Sequence, residues 1–146
     1  MKEFHIRFFN NRKVSHILDL LTVDLVQIPS VPGAYVLGTS GETMLTYPWA
    51  TSPVFYIGKA NNLRQRLKDH KKHTEGAMHD YREAWWWPRY QYGAAFGVSC
   101  AWFKSFQEGP DQLEAKLVAS FYENFGSIPV ANTRWPKEPQ HGSKDD

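Results

Sequence analysis

Residues 53–70, PVFYIGKANNLRQRLKDH, decide the fold of this chain. The aromatic and β-branched residues at 54–57 favour a half-buried strand. Gly58 then permits a backbone turn that a bulkier residue would resist, and the side chain of Asn61 or Asn62 can cap a following helix. The stretch therefore predicts a strand, a tight exit from that strand, and a helix.

The predicted helix carries basic side chains beside its apolar face. Leu63 and Leu67 lie one turn apart and face a core, whereas Arg66 and His70 lie on the flank of that face. Cations at the junction of a strand and a helix suit a phosphodiester, since lysine acts as a point charge and arginine offers a planar fork of donors. On spacing alone, a solvated basic helix beside an ordinary strand explains the pattern equally well.

Length and composition set broad limits on function. The chain has 146 residues, enough for one domain with a core of its own. Its formal net charge of +2 neither requires nor excludes a nucleic-acid partner, and the single cysteine, Cys100, is interpreted as a small core residue. No apolar signal region or membrane-spanning run occurs, so we expect a cytoplasmic protein that does not bind membranes.

Two short motifs resemble the signatures of the GIY-YIG nuclease family. Residues 32–35, PGAY, resemble the first signature, and residues 56–60, YIGKA, resemble the second. The likeness covers about residues 28–132 and is closest to the nuclease domain of the bacterial excision-repair endonuclease. It implies an α/β (α+β) fold in which helices flank a small three-stranded sheet, mixed or antiparallel. Ala34 departs from the isoleucine of the signature, but strand alternation directs it to the face opposite Tyr35.

The resemblance also implies a catalytic site. Tyr56 would orient or deprotonate the attacking water, helped by Lys59 or a metal, and Tyr35 would support that network from the neighbouring strand. Arg66 would hold the scissile phosphate. His70, where family members carry tyrosine or histidine, would relay a proton or hold a phosphate oxygen; a surface histidine is the alternative. The expected catalytic residues are thus Tyr35, Tyr56, Lys59, Arg66, His70 and Glu114.

Glu114 is the expected ligand of Mg²⁺ or Mn²⁺. Its helix opens at residues 109–111, and Glu114 lies in register with Val118 and Phe121, which directs its carboxylate toward the buried stripe. Residues 113–118, LEAKLV, resemble the family's helix in which one acid holds the metal. A capping box, in which Glu114 only reaches back to the first turn, is the alternative.

The expected partner is DNA. We expect phosphate contacts from a basic segment that contains Lys59, Arg64, Arg66, Lys68 and Lys71. No helix-turn-helix or zinc finger is recognisable, so selectivity would come from DNA structure, a protein partner or a homodimer. The resemblance implies a metal-dependent endonuclease with a role in repair, recombination or mobile elements. The alternative is a catalytically silent nucleic-acid-binding or interaction module on the same scaffold.

We divide the chain into three parts. Residues 1–28 are expected to form an accessory strand and helix, because apolar residues alternate at 4–8 and then recur at helical spacing from Val14 to Leu21. Residues 29–133 form the nuclease-like domain. Residues 134–146, with mixed charge and no apolar spacing, are expected to be a flexible tail.

Three stretches outside the signatures carry further expectations. Residues 39–52 are longer than the family's usual turn, contain a possible short strand at 44–47, and form either an inert insertion or a substrate-contacting loop. The tryptophans at 85–87 cannot all face one core, so at least one packs in a contact or stacks on an unpaired base. Residues 90–103 are expected to supply a further strand.

Overall fold

The computed structural model describes residues 14–80, 87–105 and 107–136. The strands within these ranges are β1 (Leu18–Asp19), β2 (Gly33–Gly38), β3 (Leu45–Thr46), β4 (Thr51–Ser52), β5 (Val54–Ala60) and β6 (Ser99–Lys104). The helices are α1 (Leu63–His79), α2 (Pro88–Phe96) and α3 (Pro110–Phe125), and a short 3-10 turn covers Leu25–Gln27.

The main sheet is antiparallel and has the strand order β1-β6-β2-β5. The predicted α/β architecture, an antiparallel sheet flanked by helices, is confirmed. The sheet contains four strands instead of three, because β1 adds a short edge in which Leu18 pairs with Cys100. The strand predicted at residues 44–47 is confirmed as β3, which pairs with β4 in a separate hairpin.

Residues 15–20, for which the apolar spacing predicts a helix, bond to the edge of β6 instead. The amide of Ser15 donates to the carbonyl of Trp102 at 3.0 Å, and the amide of Leu20 donates to the carbonyl of Val98 at 2.9 Å. The predicted accessory helix is therefore wrong, because the open edge of β6 supplies partners to the extended backbone. The alternating strand expected at residues 4–8 lies outside the described residues.

β5 continues through Gly58 to Ala60, so the turn predicted at Gly58 is wrong. Gly58 pairs with Tyr35 across β2 and β5, and a Cβ atom at Gly58 would collide with the Tyr35 hydroxyl oxygen. Glycine is needed here because the tyrosine side chain covers the strand. The predicted cap is confirmed, since the side chain of Asn62 accepts a hydrogen bond from the amide of Gln65 at 3.1 Å.

α2 occupies part of a stretch that was predicted to be a strand. Pro88 begins the helix at a position where its missing amide hydrogen costs nothing, and Gly97 ends it with a φ of 78°. The strand predicted within residues 90–103 is therefore confirmed only from Ser99 onward. α2 packs against α1 and brings a further set of side chains to the edge of the sheet.

The sheet separates two hydrophobic cores. Ala34 and Val36 of β2 pack on the side of α3, whereas Tyr35 and Leu37 pack on the side of α1. The predicted placement of Ala34 opposite Tyr35 is confirmed. Tyr56 of β5 also lies on the α1 side, so both signature tyrosines share one face of the sheet.

Some expectations fall outside the described ranges. Trp85, Trp86 and the tail beyond Pro136 belong to this group, whereas Trp87 is described and is 39% exposed. Of the helices that are described, none combines the length and the apolar character needed to cross a bilayer.

Candidate active site

Predicted catalytic residues lie on both sides of the carboxyl end of β5. Tyr56 faces α1, where it packs beside Tyr35 with 6.1 Å between ring centroids. Lys59 points the other way and contacts the first turn of α3. Arg66, on α1, influences the ionisation of both Tyr35 and Glu114, so it connects the two groups of side chains.

Tyr35 and His70 form a buried pair with 2.7 Å between the Tyr35 hydroxyl and His70 Nε2. Burial raises the pKa of Tyr35, and the neighbouring Tyr56 raises it further. Burial lowers the pKa of His70, and the charges of Arg89 and Arg66 lower it further. Both groups are therefore neutral near pH 7, and a single hydrogen bond joins the Tyr35 hydroxyl to Nε2. Nδ1 of His70 finds no hydrogen-bond partner in the described parts of the chain.

His70 is an interior residue, so its interpretation as a surface histidine is wrong. Its ring is 2% exposed and lies 5.2 Å from the ring of Tyr35, 5.7 Å from that of Tyr56 and 5.4 Å from that of Tyr90, measured between centroids. A ring packed beneath both signature tyrosines can orient them. This burial favours a positioning role over direct contact with phosphate.

We expect the protein to lose stability as the pH falls from about 7 to about 5, in part through His70. The unfolded chain takes up a proton near the ordinary histidine pKa of about 6.5, whereas burial lowers the folded-state pKa. The unfolded state thus binds more protons in this window, and the free energy of unfolding rises with pH. In urea denaturation His70→Gln should lose less stability on acidification than the wild type. Surface-exposed His16→Gln is the control; equal losses in the wild type and His70→Gln would contradict this account.

The hydroxyl of Tyr56 accepts a hydrogen bond from Nη1 of Arg89 at 2.9 Å. A guanidinium has only donors, so the Tyr56 oxygen is the acceptor. The hydroxyl proton of Tyr56 can therefore still be donated to another group. Sequence reasoning missed Arg89, because it lies outside both signatures. The available signal was an arginine placed between Trp87 and Tyr90, since arginine commonly stacks on aromatic faces.

A cleft of about 490 Å³ opens between the start of α1 and the start of α3. Its charged lining residues are Lys59, Arg66, Asp69 and Asp111. Arg66 is exposed there, and the nearby Tyr35 hydroxyl raises its pKa. The cleft therefore presents a permanently charged guanidinium beside the tyrosine pair, which suits recognition of phosphate.

Lys59 forms an ion pair with Asp111, with 2.7 Å between Nζ and Oδ1. Both side chains are about half exposed, so the pair contributes little to stability. It does connect the end of β5 to the start of α3. A phosphate group in the cleft would compete with Asp111 for Lys59. Lys59 could therefore exchange the ion pair for its predicted contact with DNA.

Glu114 is a half-buried carboxylate on α3. Burial raises its pKa, the charges of Lys59 and Arg66 oppose that shift, and Asp111 adds to it. Across residues 14–80, 87–105 and 107–136, Glu114 has neither a hydrogen bond nor an ion pair. The N-cap of α3 is Gly109, without a side-chain capping bond, so the capping-box interpretation is wrong. The charges of Lys59 and Arg66 favour the ionised form of this acid, which is the form that binds a metal cation.

The donor set fits a hard divalent cation that water largely coordinates. In the described residues, no three or more His, Cys, Asp or Glu side chains converge on a metal position. Mg²⁺ commonly binds one or two carboxylates and keeps several waters, a pattern that a single acid such as Glu114 satisfies. A zinc site, which needs three or four protein ligands, does not fit.

The guanidinium of Arg64 forms hydrogen bonds with the protein backbone. Its Nε donates to the carbonyl of Ile28 at 2.7 Å, and Nη2 donates to the carbonyl of Val26 at 3.3 Å. These bonds attach α1 to the 3-10 turn. The predicted phosphate contact of Arg64 stays a prediction, whereas Lys68 is exposed and Lys71 half-exposed on the same helix.

Arg64→Ala should therefore lower stability more than it lowers DNA affinity. Losing the bonds from a charged donor to the carbonyls of Ile28 and Val26, of which the first is part-buried and the second exposed, should cost about 1–3 kcal/mol in the free energy of unfolding. Urea denaturation measures this loss, and Lys68→Ala on the exposed face of α1 serves as the control. Unchanged stability in Arg64→Ala, together with weaker and less salt-sensitive DNA binding, would contradict this account and show that Arg64 contacts DNA.

Asn132 secures the outer edge of β5. Its Oδ1 accepts from the amide of Ile57 at 3.0 Å, and its Nδ2 donates to the carbonyl of Ile57 at 2.9 Å. The amide of Ala131 donates to the carbonyl of Phe55 at 2.8 Å. Because Tyr56 lies between these two bonded residues, the edge contacts fix the backbone that carries its side chain.

Comparison with known proteins identifies one family. The model of the GIY-YIG catalytic domain matches residues 44–120, more than half of the chain. The matched region contains Tyr56, Arg66 and Glu114, and it begins after Tyr35. No curated protein and no solved structure gives a significant match.

Proposed function

This chain belongs to the GIY-YIG nuclease family, and we propose that it is an endonuclease that hydrolyses DNA phosphodiester bonds with a divalent cation. The observation that carries the proposal is Glu114, a half-buried carboxylate without a protein partner in the described residues and close to Lys59 and Arg66. Burial raises the pKa of this acid, and a bound cation would stabilise its charged form. We assign the activity to residues 29–133.

Hydrolysis of a phosphodiester requires an activated water, charge neutralisation on the phosphate and relief of the leaving oxygen. Tyr56 is proposed to orient the water and take its proton. Arg66 is proposed to bind the non-bridging oxygens, because its fork can give two parallel hydrogen bonds. The water oxygen then forms the new bond to phosphorus while the bond to the leaving oxygen breaks.

Glu114 would hold Mg²⁺ or Mn²⁺. When bound, such a cation supplies positive charge for the phosphate oxygens and the leaving group. Tyr35 and His70 do not need to touch the substrate, since their buried bond holds the ring that packs against Tyr56. Lys59 is proposed to exchange its contact with Asp111 for a phosphate oxygen.

Substrate choice is proposed to depend on DNA structure or on a protein partner, which includes a second copy of the chain. Two cations of α1, the exposed Lys68 and the half-exposed Lys71, are proposed to contact phosphates, and such contacts carry no sequence information. The side chain of Trp87 offers a partly exposed ring for an unpaired base. Such a protein would serve repair, recombination or mobile-element movement.

The proposal is tested with labelled single-stranded, duplex and branched DNA in the presence of Mg²⁺, Mn²⁺ or EDTA. Cleavage that requires a metal and prefers one DNA structure supports it, and a random duplex library should yield no fixed cleavage sequence. Binding to DNA without cleavage under every metal condition would instead identify a silent binding module. The same assay therefore separates the two functions.

A further inference from the structure

The guanidinium of Arg89 is held on three aromatic rings next to the candidate site. Its central carbon lies 4.3 Å from the ring centroid of Trp87 and 5.3 Å from those of Tyr56 and Tyr90. α2 begins at Pro88, so Arg89 lies in the first turn of the helix. Both the rings and the helix start restrict where this side chain can point.

We propose that Arg89 is a positioning residue for the reaction: it holds the Tyr56 oxygen and stabilises the phenolate that Tyr56 forms by losing its proton to solvent, before that phenolate takes the proton of the attacking water. The inference rests on the proposed function, in which Tyr56 serves the attacking water. It adds a residue from α2, outside both signature motifs. It also assigns to Arg89 a task that the sequence led us to expect of Lys59 or a metal.

The first support is the hydrogen bond itself. Nη1 of Arg89 lies 2.9 Å from the Tyr56 oxygen, and charge-assisted bonds to an ionised oxygen are about twice as strong as neutral ones. The bond therefore strengthens when Tyr56 becomes a phenolate. Arg89 would therefore increase the fraction of Tyr56 that is ionised and able to accept the proton of the attacking water.

The second support is the local environment of the cation. Nε of Arg89 is buried and has no hydrogen-bond partner in the described residues, so the guanidinium is partly removed from water. A charge in such a place acts more strongly on its neighbours. The aromatic faces compensate for part of the lost hydration, and the Tyr56 oxygen offers the polar contact.

The third support is the position of the other cations. Lys59 lies on the opposite side of β5 and pairs with Asp111. Arg66 interacts most strongly with Tyr35, and its interaction with Tyr56 is one of charge without a hydrogen bond. Within the described part of the chain, Arg89 is thus the cation with a hydrogen bond to Tyr56.

Several groups in the described parts of the chain surround Tyr56 and affect the pH dependence of the reaction. These are Tyr35 from β2, Arg66 and His70 from α1, and Arg89 and Tyr90 from α2. Burial keeps Tyr35 and His70 neutral near pH 7 by raising the pKa of the first and lowering that of the second. Removing the charge of Arg89 disfavours the ionised form of Tyr56, so the ascending limb of the pH–rate profile should move to higher pH.

Arg89→Met tests the inference, because methionine retains apolar contact with the rings but has no charge and no donor. We expect its single-turnover rate on the best DNA substrate to fall by about 10- to 100-fold, the effect of losing a hydrogen bond to a charged group. Affinity for DNA in EDTA should stay close to wild type. Arg89→Lys should recover part of the rate, and Arg134→Met, at an exposed site, should match wild type.

A double-variant comparison shows whether Arg89 acts through Tyr56. In a Tyr56→Phe background, Arg89→Met should cause little additional loss, because the oxygen that it serves is absent. Equal losses in the two backgrounds, or a wild-type rate and pH profile for Arg89→Met, would overturn the inference while leaving the nuclease proposal intact. Absence of cleavage by the wild-type protein on every DNA and metal would overturn both. Circular dichroism and thermal unfolding confirm that each variant is folded.

Discussion

Glu114→Gln is expected to lower the cleavage rate by about 10³-fold or more, because it removes the charged oxygen that would hold the cation. Glutamine has nearly the same shape, and the Glu114 side chain has no hydrogen bond or ion pair to lose within the described residues. The fold and DNA affinity should therefore change little. Single-turnover cleavage in Mg²⁺, DNA binding in EDTA and thermal unfolding measure these three properties.

A matched control lies on the same helix. Glu123→Gln changes an exposed carboxylate of α3 and should leave cleavage at the wild-type rate. If Glu114→Gln also retained full metal-dependent cleavage, the carboxylate would have no role in holding the cation. The nuclease proposal would then lose the observation on which it mainly rests.

Arg66→Ala and Arg66→Lys should both lose most turnover, by about 10²- to 10³-fold. Lysine restores the charge but not the planar fork that makes two bonds to a phosphate. Arg66 is exposed, so neither change should unfold the protein. Single-turnover rates at saturating protein separate this loss from weaker binding, and Arg134→Lys at an exposed site is the control. A lysine variant with near wild-type rates would reduce Arg66 to a general cation.

Local sequence patterns predicted the elements around the cleft. The strand at residues 54–57, the cap at Asn62 and the helix with Glu114 each depend on neighbouring residues. The accessory helix was wrong because the edge of β6, distant in sequence, bonds to the segment from Ser15 to Leu20. Periodicity alone cannot reveal such a partner.

Glycine is required at position 58, but not for the turn that the sequence pattern suggests. A glycine at the end of a strand pattern usually indicates a turn, whereas here the Tyr35 hydroxyl occupies the space of its side chain. That contact crosses two strands and cannot be read from the local sequence. The same holds for α2, whose aromatic residues resemble a strand although Pro88 and Gly97 mark the two ends of a helix.

The candidate site was partly predictable for a similar reason. Motif spacing identified Tyr56 and Arg66, and helical register gave the half-buried position of Glu114. The burial of His70 and the contact between Arg89 and Tyr56 depend on how α1 and α2 pack. No spacing rule connects residues 56 and 89, so the structure was needed to find that pair.

Metal-restored cleavage by the wild-type protein tests the central claim most directly. Protein stripped of divalent cations with EDTA is dialysed and mixed with labelled single-stranded, duplex and branched DNA, and Mg²⁺ or Mn²⁺ is then added. The account predicts no cleavage before the metal is added and endonucleolytic products afterwards, with one DNA structure preferred. Intact DNA under every metal condition, from a protein shown to be folded, would contradict it.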